Sequence, residues 1–291
     1  VYYRKIKIPY KSGTVKQTIL KSNELLLYGG LLSISGFLPM LSNYFIQIFI
    51  SHTSTLKEVG LFTVGMAMIN SYVGILFTAM STEYYPRLAS LTNDAEKQND
   101  AVVQQAIIAI LAIVPVIVFF LGFSSIIIHL LFSEKFNEVI PMLSWAILAM
   151  FYKAVSFSMG YVIIVHGDSR VFIKTSIFFN VLYVLLAVGG YYYAKLEGLG
   201  LGILVYYIIH LIGISQVTRV RYNISLSPAF YKVFIAGLFL SALAAVLNYM
   251  AEGYLRYTIF TILLLIAITN SYREIDKIIF LSEILRNYFK K

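Results

Sequence analysis

Lys153 lies near the middle of an apolar stretch, residues 139–165, that is long enough to cross a bilayer. A lysine at that depth costs roughly 2.5–3.5 kcal/mol on insertion scales, so it needs a partner, a water-filled cavity or a function. Small residues surround it at helical spacing: Ala146, Ala149, Ser156 and Gly160. An ammonium group with three donors suits phosphate oxygens. A lysine that snorkels to the membrane surface or pairs with a carboxylate is the alternative.

Uncharged polar residues form two further candidate faces at helical spacing. One stretch carries Asn43 and Gln47 in line with Ser33, Gly36 and Met40, and the next carries Asn70 in line with Thr63, Gly74 and Ser81. Such stripes either hydrogen-bond neighbouring helices or line a cavity. Asn43, Gln47 and Asn70 are therefore candidate substrate-binding residues.

Two cations at predicted helix ends, Arg87 and Lys174, complete the candidate substrate-binding set. Arg87 is either a positive-inside anchor or a residue that contacts lipid phosphates or gates the cytoplasmic mouth. Lys174 is either a snorkelling anchor or a gate cation. Tyr152 and Tyr206 could stack on sugar rings, although tyrosines in such a chain are first expected at the membrane interfaces.

Composition places these residues in an all-α membrane protein. Hydrophobic residues make up 59% of the chain and charged residues 13%, whereas soluble domains carry about 25% charged residues. Cysteine is absent and the four histidines have no metal-pair spacing. No catalytic set is apparent, so we expect neither an enzyme nor a cofactor. The net charge of +9 fits basic cytoplasmic loops better than a nucleic-acid partner.

Eight apolar stretches could span the membrane: residues 24–51, 60–84, 104–131, 139–165, 171–194, 199–217, 229–250 and 254–270. If residues 1–23 are cytoplasmic, 18 of the 23 basic residues lie on the cytoplasmic side and 4 on the other. This asymmetry predicts that both ends are cytoplasmic. Residues 85–103 are expected to form a helical connector, and Gly198, Gly200 and Gly202 a site of close helix packing.

Several motifs occur in a familiar order along the chain: KEVGLFTVG at 57–65, EYYPRLA at 83–89, LLFSEKFNEVIPMLSWAIL at 130–148, GDSR at 167–170 and LEGLGLGILVYYIIHLI at 196–212. Together they resemble the C-terminal portion of bacterial polysaccharide flippases of the Wzx type. These flippases belong to the multidrug/oligosaccharidyl-lipid/polysaccharide exporter superfamily.

The resemblance implies two six-helix lobes that face a central cavity, with this chain supplying the second lobe. Four regions are then expected: a basic cytoplasmic linker (1–23), the six-helix lobe (24–217), an additional transmembrane helix pair (218–272) and a cytoplasmic amphipathic tail (273–291). An N-terminal lobe of the same protein would precede Val1, and the sequence is expected to be a piece of a longer chain.

The function implied is flipping of an undecaprenyl-diphosphate-linked oligosaccharide across the bacterial cytoplasmic membrane by alternating access, for surface polysaccharide such as O-antigen. Membrane lipids are the other expected partner. A drug or metabolite antiporter of the same superfamily is one alternative. A multi-pass polysaccharide polymerase or acyltransferase is an alternative from a different class.

Overall fold

The computed structural model describes residues 15–251 and 253–279, and within them the chain is helical with no strand. The described helices are α1 (Val15–Thr53), α2 (Leu56–Met68), α3 (Gly74–Ser90), α4 (Ala95–Leu131), α5 (Ile140–Val165), α6 (Ser169–Tyr222), α7 (Pro228–Met250) and α8 (Gly253–Ile279). A π-helical turn, Ile69–Val73, joins α2 to α3, and a 3-10 turn, Glu134–Val139, precedes α5.

Six of the described helical segments are long and apolar enough to cross a membrane. They are Leu56–Ser90, Ala95–Leu131, Glu134–Val165, Ser169–Tyr222, Pro228–Met250 and Gly253–Ile278. The predicted all-α membrane class is therefore confirmed. The first predicted span, residues 24–51, lies inside α1, which is not among these six.

Helix α6 is two helices that fold back on each other, as the separate fifth and sixth predicted spans require. Ala194 and Lys195 leave helical geometry, and Lys195 has a φ of 52°. Residues on either side then pair in antiparallel order. A Cβ on Gly198 would lie 2.1 Å from the Gly190 carbonyl oxygen, and one on Gly202 would lie 2.2 Å from that of Leu186. The close packing predicted at these glycines is confirmed. We call residues 169–193 α6a and residues 196–222 α6b.

The centre of the bundle is formed by α4 and α5, which contribute most of the fully buried side chains. Helix α5 packs against α4 on one face and against α6 on another. Helices α7 and α8 pack on α4, whereas α1 packs on α6 and α2. Both faces of α5 are thus occupied, and one of them holds Lys153.

Polar contacts at the two ends of the bundle show that successive helices run antiparallel. At one end Lys57, near the start of α2, pairs with Glu138, just before α5, at 2.6 Å. At the other end the backbone N–H of Ser225, before α7, donates to Asn99 near the start of α4 at 2.7 Å. This arrangement agrees with the alternating order of the predicted spans.

The helix ends differ from the predicted boundaries. The connector predicted at residues 85–103 is mostly an extension of α3 and α4, and only residues 91–94 lie between the two helices. Helix α1 already begins at Val15, inside the predicted basic linker. Helix α8 continues through Arg273 to Ile279, so the predicted tail starts within it. The remaining parts of the linker and tail, residues 1–14 and 280–291, lie outside the described residues.

Candidate functional site: a lysine-containing cavity

A cavity of about 450 Å³ lies between α1, the α2–α3 helix pair, α5 and both halves of α6. At one end it is lined by Tyr183 and Tyr206, which lie near the middle of α6a and of α6b. At the other end it is lined by Ile164, near the end of α5, and Phe172, near the start of α6a. The cavity therefore reaches from the interior of the bundle to the end where α5 and α6a join.

Lys153 projects into this cavity from the middle of α5. It stands 13 residues after Ile140 and 12 before Val165, so roughly 18–20 Å of helix separates it from either end. Its Nζ lies 5.0 Å from the ring centroid of Phe77 and 5.7 Å from that of Tyr207. Contacts of this kind contribute about 0.5–2 kcal/mol, which offsets only part of the burial cost.

No ion pair among the described residues involves Lys153. The described lining of the cavity also contains no aspartate or glutamate. Ser156 and Gly160, two of the small residues predicted around the lysine, line the cavity beside it. The other two, Ala146 and Ala149, are fully buried in the core. The ammonium group therefore faces an open space within the described part of the chain.

Amide side chains form the wall opposite Lys153. Asn43 on α1 accepts a hydrogen bond from the Tyr183 hydroxyl at 3.1 Å, and Asn180 on α6a accepts one from the Ser42 hydroxyl at 3.1 Å. Asn70 lies on the π-helical turn and is exposed to the cavity. π-helical turns inside α-helices frequently occur at functional sites. The wall thus offers both donors and acceptors.

A second recess adjoins the cavity and brings in Gln47. It has a volume of about 460 Å³ and shares Pro39, Asn43 and Asn70 with the first cavity. Gln47 on α1 lines this recess. The structure therefore brings four predicted site residues, Lys153, Asn43, Asn70 and Gln47, to one continuous space.

Aromatic rings of α6b complete the site, and Tyr207 is the one among them that the sequence did not single out. Tyr206, which was considered for sugar stacking, packs edge-on against Tyr183 at 5.1 Å and beside Tyr207 at 4.8 Å. His210 lies next to this cluster, and its Nδ1 is buried without a hydrogen-bond partner among the described residues. Tyr206, Tyr207 and His210 share one helix at spacings of three and four residues, and this spacing is the sequence signal that could have identified Tyr207.

Tyr152, the other tyrosine considered for sugar stacking, packs against Phe151 and Phe234, away from the cavity.

The other two predicted site residues lie elsewhere. Arg87 forms an ion pair with Glu83 at 2.9 Å and donates to Gln104 at 2.8 Å, so it joins α3 to α4. Lys174 is exposed on α6a and does not line the cavity, although its neighbour Thr175 does. Neither cation shares the space around Lys153.

The polar stripes separate into two kinds of contact. In the second stripe the hydroxyls of Thr63 and Ser81 donate to backbone carbonyls of their own helix. In the first stripe Asn43 bonds Tyr183 on α6a and also lines the cavity. Interhelical bonding and cavity lining, which the sequence left as alternatives, occur together at Asn43.

Within the described residues no group of three histidine, aspartate or glutamate side chains could hold a metal ion.

Fold and site together define a multi-pass all-α membrane protein whose helix bundle has a cavity lined by both polar and apolar side chains. Residues 11–141 match the family model described as polysaccharide biosynthesis protein, which is less than half of the chain. This match supports a role in polysaccharide biosynthesis. It covers α1 to the start of α5, including Asn43, Gln47 and Asn70, and ends before Lys153. Searches of curated proteins and of solved structures gave no match.

Proposed function

We propose that this chain forms the lysine-containing part of a flippase that moves lipid-linked oligosaccharide across the bacterial cytoplasmic membrane. The observation that carries the proposal is an ammonium group at mid-helix in a cavity that also contains amide and hydroxyl groups, without a carboxylate partner in the described structure. The substrate proposed is an undecaprenyl-diphosphate-linked saccharide, used to build surface polysaccharide such as O-antigen. The match to a polysaccharide biosynthesis family supports the same pathway class.

The chemistry of the cavity suits the two parts of such a substrate. The Lys153 ammonium would bind the diphosphate, because charge-assisted hydrogen bonds to phosphate are stronger than neutral ones. The asparagines and tyrosines of the wall would bind sugar hydroxyls and ring faces. The lipid tail would remain in the bilayer beside the bundle. Phosphate binding would also offset the cost of holding an unpaired cation at this depth.

One side of the cavity is formed by helix faces that the described chain leaves exposed. Met40 and Tyr44 on α1 are exposed and line the recess. Tyr72 and Ile75 on the α2–α3 pair are also exposed. A second lobe, expected from the N-terminal part of the same protein, would cover these faces and close the cavity. Alternating access would then consist of the two lobes rocking about the site, with both ends of this chain cytoplasmic.

The described cavity lining favours an anionic substrate over a cationic one. An antiporter for cationic drugs needs acidic residues in its cavity, and the described lining contains none. A polymerase or acyltransferase, the alternative from another class, would consume the lipid-linked substrate chemically. It would therefore change the structure of the saccharide rather than the leaflet in which it accumulates.

The proposal is tested by replacing Lys153 in the complete protein with Ala and, separately, with Arg in a polysaccharide-producing host. We expect Lys153→Ala to lower surface polysaccharide at least tenfold while unmodified lipid-linked precursor accumulates in the inner leaflet. Lys153→Arg should retain most export because it keeps the charge. Lys135→Ala, an exposed lysine outside the cavity, is the matched control.

Membrane insertion of each variant is checked by fractionation. Normal export by well-inserted Lys153→Ala would contradict the phosphate-binding role. Accumulation of a precursor with an altered saccharide or acyl pattern would instead favour the enzyme.

A further inference from the structure

A second hollow lies in a groove between α7 and α8, on the surface of α4. It has a volume of about 430 Å³ and is distinct from the Lys153 cavity, with which it shares no lining residue. Ile110 and Val114 of α4 form its apolar floor. The two walls are formed by α7 and α8.

Small residues keep this groove open. Ala236 and Gly237 on α7 and Ala267 on α8 present no bulky side chain to fill the space. Gly237 also lets α7 approach the floor, since a Cβ there would lie 2.9 Å from Ile110 and 3.2 Å from Val114. The helices α7 and α8 therefore each pack on α4 and leave a channel between them.

The dimensions of the channel match one hydrocarbon chain. Its lining extends from Ala229 to Leu240 along α7 and from Ala267 to Ile278 along α8. Eleven residues of helix correspond to roughly 16 Å, which is about the length of one leaflet of the hydrocarbon core. The channel thus runs from the helix ends to about the middle of the membrane.

The mouth of the channel carries positive charge. Lys232 in the first turns of α7 and Lys277 near the end of α8 both line it and are both exposed. Lys277 pairs at 2.6 Å with Glu274, which also lines the groove, so the two lysines and the glutamate leave a net charge of +1 on the described rim. Lys232 has no ion pair or hydrogen bond to any residue in the described ranges, so its charge is uncompensated there. Asn270 and Ser271 lie just below this rim and offer further polar groups.

We propose that this groove binds one anionic phospholipid, with an acyl chain along the α4 floor and the phosphate group at Lys232 and Lys277. Basic side chains at a helix end are worth about 1 kcal/mol each toward an anionic lipid surface. An uncharged hydrocarbon floor beneath a cationic rim complements the two parts of such a lipid. The inference rests on α4, α7 and α8 alone and does not depend on the proposed transport.

The test uses the purified complete protein in detergent, titrated with phosphatidylglycerol or with phosphatidylcholine and followed by native mass spectrometry. We expect phosphatidylglycerol to be retained at least fivefold more than phosphatidylcholine. Lys232→Gln should remove this preference and leave phosphatidylcholine binding unchanged. Ala236→Trp should lower retention of both lipids at least fivefold, because the indole fills the channel.

Two matched controls keep the test specific. Arg170→Gln removes an exposed cation of the same bundle end outside the groove, and Ala242→Trp adds an indole to an exposed position of α7 outside it. Both should bind lipid like the unsubstituted chain. Equal retention of the two lipids by the unsubstituted protein would overturn the proposal. Unchanged retention of phosphatidylglycerol in Lys232→Gln or in Ala236→Trp would overturn it as well. Displacement by inorganic phosphate alone would show an ion site and would also overturn it.

Discussion

The Lys153 cavity and the α7–α8 groove are two hollows of nearly equal volume, about 450 and 430 Å³, in the same helix bundle. Each contains lysine, but at different depths. Lys153 stands in the middle of α5 among amides and aromatic rings, whereas Lys232 and Lys277 stand at helix ends above an apolar floor.

The depth of the lysine determines what each hollow can do. At a helix end an ammonium group reaches water and lipid headgroups at little cost. At mid-membrane the same group is expensive to insert, and a ligand of opposite charge can offset that cost. The proposed substrate cavity and the proposed lipid groove therefore differ chiefly in the depth at which they hold positive charge.

The largest expected effect distinguishes two close helix contacts, one between α6b and α5 and the other between α7 and α4. A Cβ on Gly200 of α6b would lie 2.4 Å from the Met142 backbone oxygen, whereas one on Gly237 of α7 would meet only side-chain atoms, the nearest at 2.9 Å. Gly200→Ala should cost at least about 3 kcal/mol of stability, and Gly237→Ala about 1 kcal/mol. Denaturant unfolding in micelles, followed by fluorescence of Trp145, the only tryptophan, measures both. Equal losses of unfolding free energy in the two variants would show that the backbones of α6b and α5 move apart at Gly200 to accept the added methyl group.

Removing charge should affect the two lysines in opposite ways. Lys153→Leu should stabilise the chain by about 1–3 kcal/mol, because the insertion cost exceeds the lost contacts with aromatic rings. Lys232→Leu should change stability by less than about 0.5 kcal/mol, as is usual for exposed positions. The same unfolding assay applies. A destabilised Lys153→Leu would mean that the lysine is structural and not held for a ligand.

Arg87 should behave as a structural residue. Arg87→Gln removes the ion pair with Glu83 within α3 and the hydrogen bond to Gln104 that joins α3 to α4, and we expect a loss of about 1–2 kcal/mol. Ligand binding at the cavity should stay within twofold of the unsubstituted chain. Lys174→Gln, an exposed cation with no such contacts among the described residues, is the comparison and should leave both quantities unchanged. A large loss of ligand binding in Arg87→Gln would instead show that Arg87 contributes to substrate binding.

The smallest effect is expected at the cavity wall. Asn43→Ala breaks the hydrogen bond from Tyr183 and should cost about 1 kcal/mol. Asn70→Ala breaks no hydrogen bond to another described residue, so stability should change by less than about 0.5 kcal/mol. Binding of a saccharide-bearing lipid should fall in both variants. If neither variant alters binding, the amide wall does not contact the sugar.

Sequence pattern predicted the features that depend on hydrophobic periodicity and helix spacing. The membrane class, the α6 hairpin at residues 171–217 and the glycine contacts follow from apolar runs separated by short polar breaks. Lys153 stood out because a charged side chain within an apolar transmembrane stretch raises the free energy of membrane insertion, whichever helices pack around it. Asn43, Gln47 and Asn70 were found because a polar stripe on a membrane helix must face protein or water.

The rest depends on how the helices pack. Phe77 and Tyr207 approach Lys153 from separate helices, and no local pattern brings these residues together. The π-helical turn at Ile69–Val73 leaves no mark in the apolar pattern, yet it carries Asn70. Arg87 was a candidate because it follows Pro86 at the predicted cytoplasmic mouth, whereas its direction toward α4 follows only from packing.

Direct binding of a diphosphate lipid tests the central claim most closely. The complete protein is reconstituted in nanodiscs and titrated with undecaprenyl diphosphate sugar, with undecaprenol as the uncharged reference. We predict that Lys153→Gln weakens binding of the diphosphate lipid at least tenfold, that Lys153→Arg stays within threefold of the unsubstituted protein, and that undecaprenol binding is unaffected. Equal affinity of Lys153→Gln and the unsubstituted protein for the diphosphate lipid would contradict the account.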